Sequence, residues 1–240
     1  MNYFLSFLII SLSILFHEAG HLFVGLWTRI PMKQFSVGFG PRLISKTLGH
    51  TEYKLSLIPV GGYVLPEIED MNIFFAIPVW RRMLFTLGGP IMNLLIAWLL
   101  LSFAFCTTNG WSFSSCFILP FSQIVALTLA ILNGFAQLIT QPDQLSGVVG
   151  VISAGGQYIQ NSWINAITFA ALLNINLAIF NLLPLPPLDG GKLISYFLEL
   201  IDKRLVKLQV PLSIAGWAFL LLLMLYATFQ DVSSIIQSVT

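Results

Sequence analysis

The sequence predicts an all-α polytopic membrane protein of about four transmembrane helices, with a small membrane-associated β-meander and one non-spanning helix at the outer leaflet. Three observations predict it. The 240 residues are 57% hydrophobic and 9% charged, with a mean hydropathy of +0.86, which places several segments in lipid rather than in a water-soluble core. All eleven Lys and Arg residues fall in two windows, Arg29 to Arg82 and Lys192 to Lys207. Apolar runs of spanning length flank and separate those windows. The positive-inside rule puts both basic windows in the cytoplasm and the N-terminus, the middle section and the C-terminus on the other side. The expectation is a multi-pass protein of the inner (plasma) membrane, surrounded by lipid and with no nucleic-acid partner.

The elements follow in order. Residues 3–28 form the first span, too long for a signal-peptide core and without a basic leader. After Pro31 the period changes: in TEYKLSLIPVGGYV (51–64), Tyr53, Leu55 and Leu57 alternate with Lys54 and Ser56, so 33–65 reads as an antiparallel meander. Irregular backbone at membrane depth must be buried in protein or border a water-filled cavity. Residues 83–107 form the second span, opening on LGGPIMN, whose small residues permit close backbone approach. Asn93 in that opening serves either interior hydrogen bonding or substrate contact. The run from Phe117 to Ile139 is long enough to cross, but an extra crossing would expel one basic window, so 120–141 are placed as a helix on or partly in the outer leaflet; a paired re-entrant excursion would preserve parity too. Residues 162–183 are the third span. It ends in NLLPLPPLDGGK (181–192), where three prolines stop the helix and 184–191 turn at Asp189-Gly190-Gly191. Residues 210–229 are the fourth span. Cys106 and Cys116 both fall in the section assigned outside, where a disulfide and two buried thiols are both open readings.

The chemistry concentrates in HEAGH, His17 to His21. Positions four apart share a helix face, so His17 and His21 offer imidazole nitrogens to one cation, with Glu18 about 100° around the axis as general base. Counting about 1.5 Å per residue, His17 lies about 21 Å from the outer end of its helix and about 18 Å from Arg29. An ionisable residue at a bilayer's centre costs about 2.5–3.5 kcal/mol on insertion scales, and a metal ion supplies the compensating partner. A polar cluster that only packs helices is the plainer alternative. Two histidines leave a catalytic zinc short of a ligand, and Asp189 is the one other carboxylate placed beside an apolar stretch on the cytoplasmic side. Its structural alternative is a helix cap for 192–201.

HEAGH in a first membrane helix, FSVGFGP, TEYKLSLIPVGGYV, GGPIMN, LSGVVGV and NLLPLPPLDGG, in that order, together resemble the site-2 protease family of intramembrane zinc metalloproteases (M50), in particular its bacterial RseP-like branch. The resemblance implies Zn²⁺ held by His17, His21 and Asp189, Glu18 as general base, and a β-loop, including Gly61, Gly62 and Tyr63, that borders the site and helps hold substrate. It implies that Asn181 contacts an extended substrate backbone. The implied activity is hydrolysis within the transmembrane segment of single-span membrane proteins, in regulated intramembrane proteolysis or the clearance of remnants such as signal peptides. One departure stands out: RseP-like members carry PDZ domains between the second and third helices, and only 109–120 separates the second helix from the outer helix here. Gating then falls to the outer helix, the β-loop or a separate substrate-presenting partner.

The non-enzymatic alternatives are a membrane metal carrier and a catalytically silent relative that binds membrane helices. A carrier needs a relay of acidic or His residues across the bilayer, and a silent relative should have lost a ligand or the base. A membrane zinc protease of another fold, such as a prenyl-protein endopeptidase, is the enzymatic runner-up, and it does not predict the LDGG segment.

Overall fold

The computed structural model of the chain describes residues 2–67, 76–140, 146–202, 204–205 and 209–239. Its helices are α1 (Asn2–Trp27), α2 (Val79–Asn109), α3 (Leu119–Thr140), α4 (Val148–Ile159), α5 (Trp163–Asn181), α6 (Asp189–Ile201) and α7 (Gln209–Val239), with strands β1 (Met32–Leu48) and β2 (Thr51–Pro66) after α1. Among the described residues, five helical stretches are long and apolar enough to cross a membrane: α1, α2, Ser114–Phe135, α5 and Gln209–Asp231. Length and composition thus allow a crossing by Ser114–Phe135, which covers most of the helix the sequence reading laid on the outer leaflet. The chain divides into two compact units, residues 1–9, 97–176 and 214–240 in one, and 10–96 and 177–213 in the other.

Helix α1 is patterned inside out. Ser6, Ser13, His17, His21 and Thr28 are buried, while Phe4, Leu8, Leu12, Phe16, Phe23 and Trp27 are exposed. Both sets recur at helical spacing, so one face is polar and enclosed and the opposite face is apolar and open, the arrangement a lipid solvent favours. The helix ends in a Schellman motif: Ile30 N–H reaches Gly25 C=O at 2.9 Å and Arg29 N–H reaches Leu26 C=O at 3.1 Å. Arg29 holds the left-handed position at φ 56, where glycine is usual. Pro31 then forbids any continuation.

The second unit is built around the sheet and the α1–α2 crossing. The two long strands each double back, so their pairing is antiparallel where 34–37 meets 62–65 and where 44–47 meets 52–55, and runs in the same direction where 34–37 meets 52–55. Gln34 to Val37 pair with Gly62 to Leu65 on one side and with Glu52 to Leu55 on the other, and Ile44 to Thr47 pair with that same Glu52–Leu55 run. Four segments therefore lie side by side in the order 62–65, 34–37, 52–55, 44–47. Gly38 and Gly40, at φ 82 and 89, supply the backbone reversal inside β1 that only glycine adopts without cost. Leu22, Ile30 and Met32 form the buried centre of this unit, with Phe35, Tyr53, Val64, Ile77 and Phe85 packed around them. The sheet is thereby fixed against α1 at Leu22, the residue after His21. Where α1 and α2 cross, a Cβ on Gly20 would fall on the Gly88 carbonyl, and one on Gly88 would lie 2.6 Å from the Gly20 carbonyl oxygen. Backbone touches backbone there, which is the close approach the GGP sequence permits.

The expected turn at Asp189-Gly190-Gly191 is instead the first turn of the 13-residue α6. Glycine is a poor helix former, and it is tolerated here because a Cβ on Gly190 would collide with the Leu182 and Leu183 carbonyls and one on Gly191 with the backbone of Leu185 and Pro186. The proline-rich segment 182–187, in which the Pro186–Pro187 bond is cis, folds directly over that turn.

In the first unit, Cys106 and Cys116 form a disulfide, a single π-helical turn at Ser114–Ile118 leads into α3, and the buried Asp231 carboxylate accepts from the backbone N–H of Gly147 (3.2 Å) and Gly150 (2.8 Å). That carboxylate, delivered from α7, satisfies the N-terminus of α4, whose own Gly147 cap has no side chain with which to do so.

Candidate metal centre

Three residues predicted from the sequence meet in the second unit. His17 and His21 lie one turn apart on the buried face of α1, and Asp189 comes from the first turn of α6; the three are 6%, 6% and 3% exposed. His17 Nε2, His21 Nε2 and Asp189 Oδ2 form a triangle with every side 3.2 Å. Two ligand bonds of about 2.0–2.1 Å meeting near the tetrahedral angle put ligand atoms about 3.3–3.4 Å apart. The triangle therefore has the size of three corners of a tetrahedral zinc site.

The partners of the ring nitrogens fit the same reading. His21 Nδ1 lies 2.8 Å from the Phe85 carbonyl oxygen. A carbonyl only accepts, so Nδ1 carries the proton and Nε2 turns a lone pair into the triangle. The Gly89 N–H, 3.3 Å from the same Nδ1, is the weaker neighbour. His17 Nδ1 lies 3.3 Å from the side-chain amide nitrogen of Asn93, while the buried Oδ1 of Asn93 has no hydrogen-bond partner. Turning that amide by 180° presents Oδ1 to Nδ1–H, satisfies the orphaned oxygen and frees the Nε2 lone pair of His17. Two lone pairs and a carboxylate oxygen converging on one point call for a cation.

Asp189 divides its oxygens. Oδ2 faces both imidazoles and Oδ1 accepts from Lys192 Nζ at 2.9 Å. Burial works against the charged carboxylate, but the imidazole hydrogen bonds and the Lys192 ammonium outweigh it and hold the carboxyl well below the usual carboxylate range. Glu18, half-buried, has His21, His17, Lys192 and Asp189 as its electrostatic neighbours, and so sits beside the triangle without belonging to it.

The other predicted residues are placed as follows. Gly61, with φ +69, and Gly62 lie against Ile14 and Leu15 of α1, within one turn of His17; a Cβ at Gly61 would lie 2.9 Å from Ile14, and one at Gly62 would lie 2.5 Å from the Ser36 carbonyl oxygen. Tyr63 Oη accepts from Lys54 Nζ at 3.2 Å and donates to Gln34 Oε1 at 3.3 Å, within the sheet. Asn93 is fully buried against His17, a packing and hydrogen-bonding position rather than an open surface. Asn181 donates to the Leu177 carbonyl of its own helix at 2.9 Å.

Sequence reasoning missed four contributors. Gly89 closes the triangle's back, since a Cβ there would lie 2.5 Å from His21 Nε2 and 2.6 Å from His17 Nε2. Its signal was the second glycine of LGGP, four residues before Asn93 and on the same helical face. Lys192 grips Asp189, a link at i,i+3 spacing that appears only once α6 is known to begin at Asp189. Arg82 and Glu199 form a bidentate pair at 2.8 and 2.6 Å, with the guanidinium 5.0 Å from the Tyr196 ring centroid, fixing α6 to the start of α2.

Comparison with known proteins supplies a family for the chain. The model of peptidase family M50 matches residues 5–225. A candidate zinc metalloprotease of Campylobacter jejuni is 26% identical over 346 aligned positions, covering 95% of this chain and 92% of that protein. One from Fusobacterium nucleatum is 22% identical over 337 positions, covering 97% and 98%. Regulator of sigma-W protease RasP of Bacillus subtilis is 40% identical over 116 residues, which are 46% of this chain and 28% of RasP. With the family model spanning all four of His17, Glu18, His21 and Asp189, the chain belongs to peptidase family M50, the site-2 protease family its motifs resemble.

Proposed function

We propose that the chain is an intramembrane zinc metalloprotease that hydrolyses a peptide bond within the membrane-spanning segment of a protein substrate. The observation that carries this reading is the 3.2 Å triangle of His17, His21 and Asp189, with Glu18 beside it. Zinc, when held there, supplies Lewis-acid polarisation of a carbonyl and makes water acidic enough to deprotonate near neutrality. Glu18 accepts the proton of the attacking water and returns it to the amide nitrogen that leaves. His17 and His21 bind through Nε2, the Phe85 carbonyl and Asn93 set their ring orientations, and Gly89 lets α2 approach closely enough to exclude water from that side.

A helical substrate hides its amides, so it must be extended before attack. The 62–65 segment lies at one edge of the sheet, and Gly61-Gly62 rests on Ile14 and Leu15 near His17. An extended peptide added to that edge by strand pairing would run alongside the site. Single-span membrane proteins are the proposed substrates, in regulated proteolysis or in clearing signal-peptide remnants. The alignment to the Campylobacter protein, at 346 positions, is longer than this chain's 240 residues, so that relative carries segments with no counterpart here. A separate substrate-presenting partner in the role of a PDZ domain is part of this proposal.

The topology proposed has both termini outside and the basic loops in the cytoplasm. The Arg82–Glu199 pair supports it: its members come one from each basic window and touch, so an even number of crossings separates them. With α2 and α5 as those crossings, Ser114–Phe135 does not add a third unpaired one.

Glu18→Gln tests the assignment. Co-expressed with tagged single-span proteins, wild type should generate fragments, and the variant should generate none while keeping its metal and its fold; fragments at the wild-type rate from the variant would remove Glu18 as the base.

A further inference from the structure

Helix α6 carries a stripe of Asp189, Lys192, Tyr196 and Glu199, at i, i+3, i+7 and i+10, each engaged with a defined partner. The far end of the stripe is anchored by Arg82, which is 0% exposed and bonded to Glu199 through both of its terminal nitrogens. At the near end, the two oxygens of Asp189 have different tasks. Oδ2 is 3.2 Å from both imidazole nitrogens, and Oδ1 is 2.9 Å from Lys192 Nζ. The Lys192 side chain is 45% exposed and that of Asp189 5%, so a partly exposed side chain grips an enclosed carboxylate.

A carboxylate beside a divalent cation can bind through one oxygen or through both. A catalytic zinc needs three protein ligands and a fourth position left open. Two-oxygen binding by Asp189 would crowd that position. We infer that Lys192 is a positioning residue that holds Oδ1 away from the metal and keeps Asp189 a one-oxygen ligand. This rests on the zinc reading above and adds to it a residue that touches neither substrate nor metal. Arginine can replace the ammonium as a donor to Oδ1, and methionine fills the same length of stem without donating.

The test uses the full chain in detergent, loaded with Co²⁺ as a spectroscopic substitute for zinc. Wild type and Lys192→Arg should show the intense visible bands of a four-coordinate ion. Lys192→Met should show the weaker, shifted bands of five-coordination, with cleavage reduced about 10–100-fold, the usual consequence of losing an outer partner of a ligand. Circular dichroism and elution volume confirm that each variant is folded. Four-coordinate bands in Lys192→Met identical to wild type would overturn the inference and leave the zinc site standing. Failure of wild type to bind Co²⁺ in a manner abolished by His17→Ala would instead remove the zinc reading, and the inference with it.

Discussion

Replacing Gly89 by alanine is the smallest change that strikes the site without altering a ligand. The added Cβ would sit 2.5 Å from His21 Nε2 and 2.6 Å from both Cε1 and Nε2 of His17, whereas ordinary van der Waals contact begins at 3.4 Å. An imidazole edge must therefore retreat by about 0.9 Å, or α2 must move by a similar distance. Neither is easy: α2 is held at Gly88 by backbone contact with Gly20, and His21 is tied to the Phe85 carbonyl. Metal–ligand distances tolerate only about 0.2 Å, and overpacking a filled interior costs about 1–3 kcal/mol. Applied to the metal-bound state, that cost lowers zinc affinity by about 5–150-fold at 1.4 kcal/mol per tenfold. Chelator competition on protein in detergent measures it, and Gly134→Ala, whose Cβ would meet nothing within 4 Å, is the matched control. Wild-type affinity and cleavage in Gly89→Ala would refute the claim that α2 forms the back wall of the metal site.

Two further predictions concern what holds each unit together. Arg82→Met leaves Glu199, whose side chain is 9% exposed, without its partner, and should cost about 3–5 kcal/mol in denaturant unfolding. Arg82→Met with Glu199→Leu should recover most of that loss, whereas no recovery would mean that the pair's charge is not what destabilises the single variant. Asp231→Ala removes the acceptor for Gly147 and Gly150 N–H and should cost about 1–3 kcal/mol, with hydrogen exchange at the start of α4 accelerated; unchanged protection at Gly150 would contradict the capping role.

The three members of the triangle were singled out in the sequence, two of them by local spacing. His17 and His21 are one helical turn apart, and the prolines of 184–187 break the helix close to the one other carboxylate placed beside an apolar stretch on the cytoplasmic side. Asn93 was legible as an interior hydrogen-bonding side chain, though not its partner, since it lies 76 residues from the histidine it touches; Gly89, 68 residues from His21, was not legible at the site, because glycine carries no chemical signal until its neighbour is known. Reading Asp189-Gly190-Gly191 as a turn followed glycine's intrinsic preference. Tertiary packing against the carbonyls of 182 and 183 reversed it, since only glycine fits beneath them. The extended character of 33–65 was visible in the alternation of Tyr53, Leu55 and Leu57, but not the doubling of 34–37 between two partners, which depends on reversals at Gly38 and Gly40. Ser114–Phe135 shows the limit of hydropathy itself, because a predominantly apolar stretch of 22 residues gives one signal whether it crosses the bilayer or lies on it.

The central claim is tested most directly by zinc-edge X-ray absorption on the purified chain. One zinc per chain is predicted, with a shell of two imidazole nitrogens and oxygens at about 2.0–2.2 Å, and with the imidazole scattering halved in His21→Ala and the affinity collapsed in Asp189→Ala. A bound zinc without imidazole in its shell, or an Asp189→Ala variant that binds zinc as tightly as wild type, would contradict the account.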